Sequence, residues 1–538
     1  MKKYILSLIL LLSSFNMMAQ EKGLDQRIDE AFQPVSDFFS NLIFGSFNDL
    51  VALISYRFGL PDFYDGYLNL ISDSWYSQIL GAPLVIIILV GSALFFTLYF
   101  GFPNFKYFWT AINVVRGKYD DLEKNDSDSK DGEVSHFQAL ATAVSGTVGN
   151  GNIAGVALAI ALGGPGATFW MIVCGLLGMS TKFVECTLGV YYRDVDEDGI
   201  VYGGPMYYIS RGLKSKGFAT LGKIAGALFA VFCIGGSFGG GNAAQSNQAT
   251  IVLKDLFGYE STFAGAMIGI VLATLVGIII IGGIKRIASV TEKIVPFMAL
   301  LYILACIYIL GVNFSFIDDA IALIIREAFN PTAVGVGGII GVLMVGFRRA
   351  AFSNEAGAGS ASIAHSAVKT KYAASEGLVA LLEPFIDTVV ICTMTALVII
   401  TFNSTGAFVY GGDGMGGVLI DGVTYEGAGI TSKAFAQYIP YSDIFLTIAV
   451  VLFAVSTMIS WSYYGLQSWK FLFGRGNLAD LTYKILFLIF VVIGAAASMN
   501  SIWAFSDAMI FAMVFPNMVG LYFLFPIVKE QLKKYLEA

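Results

Sequence analysis

FQALATAVSGTVGNGNIAGVALAIALGG, residues 137–164, decides the fold. Its two ends are apolar enough to sit in a hydrocarbon core. Its centre, SGTVGNGN, sets Gly146, Gly149 and Gly151 among Ser145, Thr147, Asn150 and Asn152. Each glycine costs a helix about 1 kcal/mol relative to alanine, so a continuous helix is disfavoured midway along the span. Irregular backbone facing lipid would leave its N–H and C=O groups unsatisfied, so an unwound stretch here has to line a cavity inside the protein. Close helix packing through small residues would account for one such span taken alone. A second span answers that objection. VGGIIGVLMVGFRRAAFSNEAGAGSASIAHSA, residues 336–367, again places a polar centre, FSNEAGAGS, between apolar ends, about 205 residues further on.

The rest of the chain fits a membrane. Of 538 residues, 56% are hydrophobic and 13% charged, about half the charged share of a soluble domain, so the chain cannot cover itself in water. Apolar runs of about twenty residues, each long enough for a core of about 30 Å, recur from residue 81 to residue 525. The predicted spans are 81–103, 137–163, 166–190, 219–247, 261–283, 291–312, 335–365, 377–402, 441–465, 479–499 and 503–525. The expected fold class is therefore an all-α polytopic membrane protein of about 11 transmembrane helices. Five spans from 137 to 312 and five from 335 to 525 make two halves, each opened by a discontinuous helix. An odd number of spans per half inverts the second relative to the first. This 5+5 inverted repeat, with 81–103 as an additional N-terminal span and 526–538 as a tail, is the layout of carriers that hold their cargo at the midplane between two broken helices.

Charge placement sets the orientation. Lys106, Arg116, Lys118, Arg193, Arg211, Lys285, Arg286, Lys369, Lys470 and Lys533 fall in segments expected inside, whereas the short outer loops hold only Lys254, Arg326 and Lys433. This is the positive-inside pattern, and it predicts a multi-pass protein of the cell inner membrane with a cytoplasmic C-terminus. Residues 1–20, MKKYILSLILLLSSFNMMAQ, read as a signal peptide. Residues 21–80 read as amphipathic helices on the outer surface. The Gly-rich stretch 402–438 reads as an outer loop able to serve as a lid.

Several functions are excluded or disfavoured. Nucleic acid is not an expected partner; the lipid bilayer is. The five cysteines are spread through apolar segments without CxxC spacing, so they read as small core residues. GNGNIAG lacks the strand and spacing of a dinucleotide site, no GxxxxGK[ST] appears, and no cofactor is expected. GGSFG at Gly235–Gly239 matches G-x-S-x-G, but an intramembrane hydrolase needs a base, and the two histidines, His136 and His365, lie near the inner ends of other spans. An ion channel is the remaining rival; two inverted broken helices argue instead for an occluded, alternating site.

A broken helix presents the positive dipole end of one half and the free carbonyls of the other to the cavity. An amino acid zwitterion suits that field. The amides of Asn150 and Gly151 are expected to receive its carboxylate, and carbonyls near Phe352 and Ser353 to face its ammonium. The hydroxyl, amide and carbonyl oxygens gathered there suit a hard cation such as sodium as the coupling ion. Gly and Ala crowd both breaks, so the accepted side chain should be small.

At these residues the chain resembles the alanine or glycine:cation (sodium) symporter family, which has a leucine-transporter-type fold. The matching stretches are SGTVGNGNIAGVALAIALGGPGATFWM (145–171), GMSTKFVECTLGVYYR (178–193), GGPMYYISRGL (203–213), FSNEAGAGSASIAHSAVKT (352–370), STMISWSYYG (456–465) and PNMVGLY (516–522). The resemblance covers residues 80–525 and leaves the N-terminal segment outside it. It implies a cation held by the carbonyls of Ser145 and Val148 with the hydroxyls of Ser456 and Thr457, and a possible second sodium site at Thr147, Asn152 and Ser353. It also implies that Gln245, with Asn242 and Asn247 as neighbours, turns an amide toward the substrate. With Thr147 and Asn354, these complete the expected binding set. The expected activity is sodium-coupled import of alanine or glycine by alternating access, with proton coupling on the same fold as the alternative. Among single residues, Glu355 beside the second break is a functional candidate, because a carboxylate in the membrane is costly unless paired or wet. Arg348 and Arg349 are its candidate partners. Glu383, Asp387 and Asp507 are candidate members of ion pairs.

Overall fold

In the computed structural model the apolar runs are helices, at the positions where the sequence places them. Residues 24–58, 60, 63–65, 67–68, 77–123, 132–259, 263–331, 338–497 and 499–538 are described; the signal-like start at 1–20 lies outside them. Among the described residues seven helices are long and apolar enough to cross a membrane: Gly166–Tyr191, Ala219–Phe257, Gly283–Val312, Ala373–Thr405, Ser442–Phe473, Asn477–Ala496 and Ile502–Leu536. His136–Thr147 and Gly151–Gly163 pass that test together, as one span bent by 51°. Leu84–Tyr99 and Ala264–Ile280, with 16 and 17 residues, are shorter apolar helices. Gly338–Asn354 opens the second interrupted span.

Several helices run past their sequence-based ends, among them the last, predicted at 503–525 and extending to Leu536 through the expected tail. The run predicted at 441–465 continues to Phe473, and the run at 219–247 continues to Phe257. The second carries a wide π-type turn at Gly239–Ala243, and another lies at Phe385–Cys392. Such turns are rare in helices and frequently mark functional positions. Small residues set the helix crossings: a Cβ on Gly346 would sit 2.6 Å from the Ala167 carbonyl, and one on Gly269 would sit 2.9 Å from the Val492 Cα. Glycine lets those backbones meet without a side chain between them. All five cysteines are buried and free.

The segment before the first span docks onto the bundle. Helices Leu24–Ile43 and Phe47–Arg57 are joined through a capping box in which Ser46 and Asp49 exchange hydrogen bonds. The first packs along Met499–Ala512, with Phe39 against Phe505 and Phe44 against Phe511. Phe38, Leu42, Leu53 and Phe58 stay exposed.

The loop from 402 to 438 is structured. It contains an antiparallel hairpin, Val418–Ile420 with Val423–Tyr425, and a helix, Ala428–Ala436. Asp413 holds its start by accepting the N–H groups of Met415, Gly416 and Gly417 at 2.8–2.9 Å. The loop lies along the second half of the first interrupted helix: Thr431 donates its hydroxyl to the Ile153 carbonyl (3.1 Å), and the Gly411 N–H reaches the Ala161 carbonyl (2.7 Å).

Candidate functional site

The first break follows from its glycines and the groups facing them. The helix ends at Thr147, and Val148 turns out of helical geometry with ψ at 90°. Gly149 follows because nothing larger fits: a Cβ there would fall on the Thr457 hydroxyl. A π-type turn, Gly151–Gly155, then restarts the helix. Among the described residues no backbone N–H donates to the carbonyls of Ser145 or Val148. The freed N–H groups go to side chains: Gly149 donates to Asn152 Oδ1 (2.9 Å) and Asn150 to Gln245 Oε1 (3.1 Å). Gln245 reaches on to the Gly240 carbonyl (2.9 Å), tying this break to the wide turn at Gly239–Ala243.

Of the four residues expected to hold a cation, all are buried and all lie together. Ser145 donates its hydroxyl to the Ser456 carbonyl (2.7 Å), and Ser456 donates its own to the Phe453 carbonyl (3.0 Å). Thr457 Oγ1 is buried beside Gly149 and has no hydrogen-bond partner among the described residues. An orphaned hydroxyl oxygen next to unpaired carbonyls is costly for a protein alone and suited to a hard cation. The residues present therefore fit sodium.

The second break is pinned by side chains. Gly338–Asn354 stops at Glu355, a non-glycine residue at φ +55°; Gly357 and Gly359 follow at +94° and +89°, and the helix resumes at Ser362–His365. The Glu355 carboxylate accepts the Trp461 indole N–H (2.9 Å) and the Ser360 hydroxyl. Glu185 accepts the Gly357 N–H (3.0 Å) and an Asn517 amide hydrogen (2.7 Å). Asn354 donates to Thr388 Oγ1 (2.9 Å) and accepts the Ala356 N–H (3.0 Å).

The two breaks touch. A Cβ on Gly151 would lie 3.6 Å from Ser353 Cα and Oγ and 3.7 Å from the Phe352 ring. Asn152 and Ser353 both donate to Asp387 Oδ1, at 2.7 and 3.1 Å. The Thr147 hydroxyl instead stays on its own helix, at the carbonyls of Ala143 and Val144 (3.3 Å each). The expected second set is thus brought together in two of its three members, with Asp387 as the group they share. Beside the junction a cavity of about 230 Å³ reaches the 402–438 loop, lined by Leu158, Arg349, Trp503, Asp507, Met415 and Glu426.

The ion pairs differ from expectation in two respects, the first being that Asp387 joins no ion pair among the described residues, because Asn152, Ser353 and Thr388 donate to its carboxylate. Arg348 and Arg349 pair with Asp507, not with Glu355, whose carboxylate is taken up by Trp461 and Ser360. Glu383 pairs with Lys182 at 3.0 Å. Lys182 and Glu185 were not singled out in the sequence, although ionisable residues at 182 and 185 in a 26-residue apolar helix were a usable signal. Ser237 donates to the Ile234 carbonyl and shares a hydrogen bond with the Tyr483 hydroxyl, so no imidazole activates it.

Two interrupted spans meeting at a buried polar centre are the layout of secondary transporters that hold cargo between broken helices. The sequence comparison makes this specific. The profile of the sodium:alanine symporter family matches residues 68–538, and the chain belongs to that family. The sodium/alanine symporter AgcS of Methanococcus maripaludis is 40% identical over 457 residues, 85% of this chain and 94% of that one. A probable sodium/glutamine symporter of Bacillus subtilis, GlnT, is 32% identical over 461 residues, 85% of this chain and 89% of the other. Among solved structures, MhsT in complex with L-phenylalanine covers 74% of this chain and 99% of its own, at 13% identity and a TM-score of 0.47.

Proposed function

We propose that this protein imports a small neutral amino acid, alanine or glycine, together with sodium, by alternating access between two inverted five-helix halves. The observation that carries the proposal is the contact between the two breaks. A methyl group placed on Gly151 would just reach van der Waals contact with Ser353 and the Phe352 ring, so the space between the breaks is about one methyl group deep, and a small substrate side chain is what it favours. The substrate carboxylate is assigned to the amides of Asn150 and Gly151, where it replaces Gln245 Oε1 as the acceptor for Asn150. Its ammonium is assigned to the carbonyls of Phe352 and Ser353, with Thr147 and Asn354 at the edges. Sodium is a co-substrate, held by Ser145, Val148, Ser456 and Thr457. Its charge joins the first break to the Ser442–Phe473 helix, and that ordering favours amino acid binding. The distribution of lysines and arginines supports an inner-membrane location with the C-terminus in the cytoplasm.

Radiolabelled alanine uptake into proteoliposomes, with sodium and proton gradients imposed separately, tests this reading. Uptake is expected to saturate, to need the sodium gradient, and to be inhibited by excess glycine more than by excess glutamine. Equal uptake with and without sodium would remove the coupling, and stronger inhibition by glutamine would remove the size argument.

A further inference from the structure

We propose that the chain contains an internal proton-binding site between His365 and Glu383, loaded from the membrane face that carries the C-terminus. His365 lies in the short helix resuming after the second break, fully buried. Its Nδ1 is 2.5 Å from Glu376 Oε1. A neutral imidazole whose Nδ1 faces a carboxylate carries its hydrogen there, leaving Nε2 with a lone pair. That nitrogen faces Glu383 Oε2 at 3.5 Å, and among the described residues neither atom has a hydrogen-bond partner. Two buried acceptors turned toward each other lack one proton. Adding it to Nε2 forms one N–H bond, turns the ring into a donor at both nitrogens, and satisfies both orphaned atoms.

A route to this site is present. The second oxygen of Glu376 is held by His136 Nδ1, and His136 is 8% exposed, whereas Glu376 is sealed. His136 opens the first interrupted helix beside the Val134–Val368 bridge, on the face where Tyr372 meets Tyr535 near the C-terminus. Water there can deliver a proton through His136 to Glu376, and Glu376 passes it to His365 Nδ1 when the ring holds its own hydrogen on Nε2; either neutral tautomer loads to the same doubly protonated ring. The remaining charges around the pair are named by the packing. Lys182 occupies the other oxygen of Glu383 at 3.0 Å. Glu185 and Cys186 lie on the same helix as Lys182, and Tyr464 is the ionisable neighbour on Ser442–Phe473. Glu355 lies beyond Lys182, and Arg193 spends its guanidinium on the carbonyls of Ser366, Val368 and Thr370, so Lys182 is the one fixed cation in contact with Glu376 or Glu383 among the described residues, which leaves room for the added positive charge. The proton then ties the segment after the second break to the Ala373–Thr405 helix, on the side where the carrier must open to release its cargo inward.

The chain has only two histidines, so imidazole nitrogen resonances report the site directly, whatever the substrate. The full chain is labelled with ¹⁵N-histidine in lipid nanodiscs, and His136→Gln leaves His365 as the sole signal. Its two ring nitrogens are expected to merge to the imidazolium position within about pH 5 to 10, the range that covers strongly shifted histidines. Glu383→Gln is expected to lower the midpoint by at least about one pH unit, a tenfold loss of proton affinity. Because that variant leaves Lys182 unpaired, the same comparison is repeated between Lys182→Met and the K182M/E383Q pair. A ring in one protonation state throughout, or a midpoint that ignores residue 383 in both backgrounds, overturns the site.

Discussion

Thr457→Val separates the cost of the sodium site from its use. The Thr457 hydroxyl is buried beside Gly149 without a hydrogen-bond partner. A buried hydroxyl left unsatisfied costs about 1–3 kcal/mol, and valine keeps the branched shape while removing it. Without sodium the variant should therefore be at least as stable as the parent, unlike most changes at a buried position. With sodium the balance is expected to reverse, because one of the oxygens proposed to hold the ion is gone. Losing a hydrogen-bond-strength contact to a charged group, about 1–3 kcal/mol, raises the sodium concentration for half-maximal uptake about 5- to 150-fold. Thermal unfolding in sodium and in choline, alongside the sodium dependence of alanine uptake, reads both signs. If the variant melts lower in choline and keeps the parental sodium dependence, Thr457 is an ordinary packing residue and the cation assignment falls.

Gly149→Ala places a methyl group on the Thr457 hydroxyl and 3.2 Å from Gln245 Oε1, so it should abolish uptake while leaving an inserted protein; uptake within about twofold of the parent would show that the break can move aside. Asp413 links the loop over the site to pH. Burial pushes its carboxyl up, but the N–H groups of Met415, Gly417 and Gly416 pull it below its usual value of 3.8. Its hold on the loop is therefore complete above that value and is lost as pH falls through the lower folded one. Limited proteolysis between residues 402 and 438 should accelerate only in strong acid in the parent and at every pH in Asp413→Ala; equal cutting of the two at neutral pH would remove the role.

The pattern of apolar and polar residues carried the helices and both breaks, because glycine cost and the demand for satisfied backbone act locally. SGTVGNGN and FSNEAGAGS contain within themselves the reason they unwind. The cation set was carried by resemblance, and the structure brings Ser145, Val148, Ser456 and Thr457 together. What escaped was pairing across the chain. Nothing near residue 355 says that Glu355 meets Trp461 while Arg349 meets Asp507, since those choices depend on which way each helix is turned. Thr147 illustrates the same limit: its type suits a ligand, but its hydroxyl settles on the preceding turn of its own helix.

The buried carboxyl groups share one property that joins the two proposed ion sites. Glu185, Glu355, Glu376, Glu383 and Asp387 are all buried around the second break and the helices that hold it, and the only buried lysine among them is Lys182. Arg349 is taken up by Asp507 and Arg193 by the carbonyls of Ser366, Val368 and Thr370, so among the described residues His136 and His365 are the other groups in direct contact with these carboxyl groups that can take a positive charge. Five carboxyl groups cannot all be ionised in a low-dielectric interior against one fixed cation. Some must therefore be protonated, or a mobile cation must enter. Asp387 sits where Asn152 and Ser353 meet, and Glu383 sits one turn earlier facing His365. A charge gained at either place would change the field at the other, so the proposed sodium and proton sites are expected to be coupled through the same shortage of positive charge.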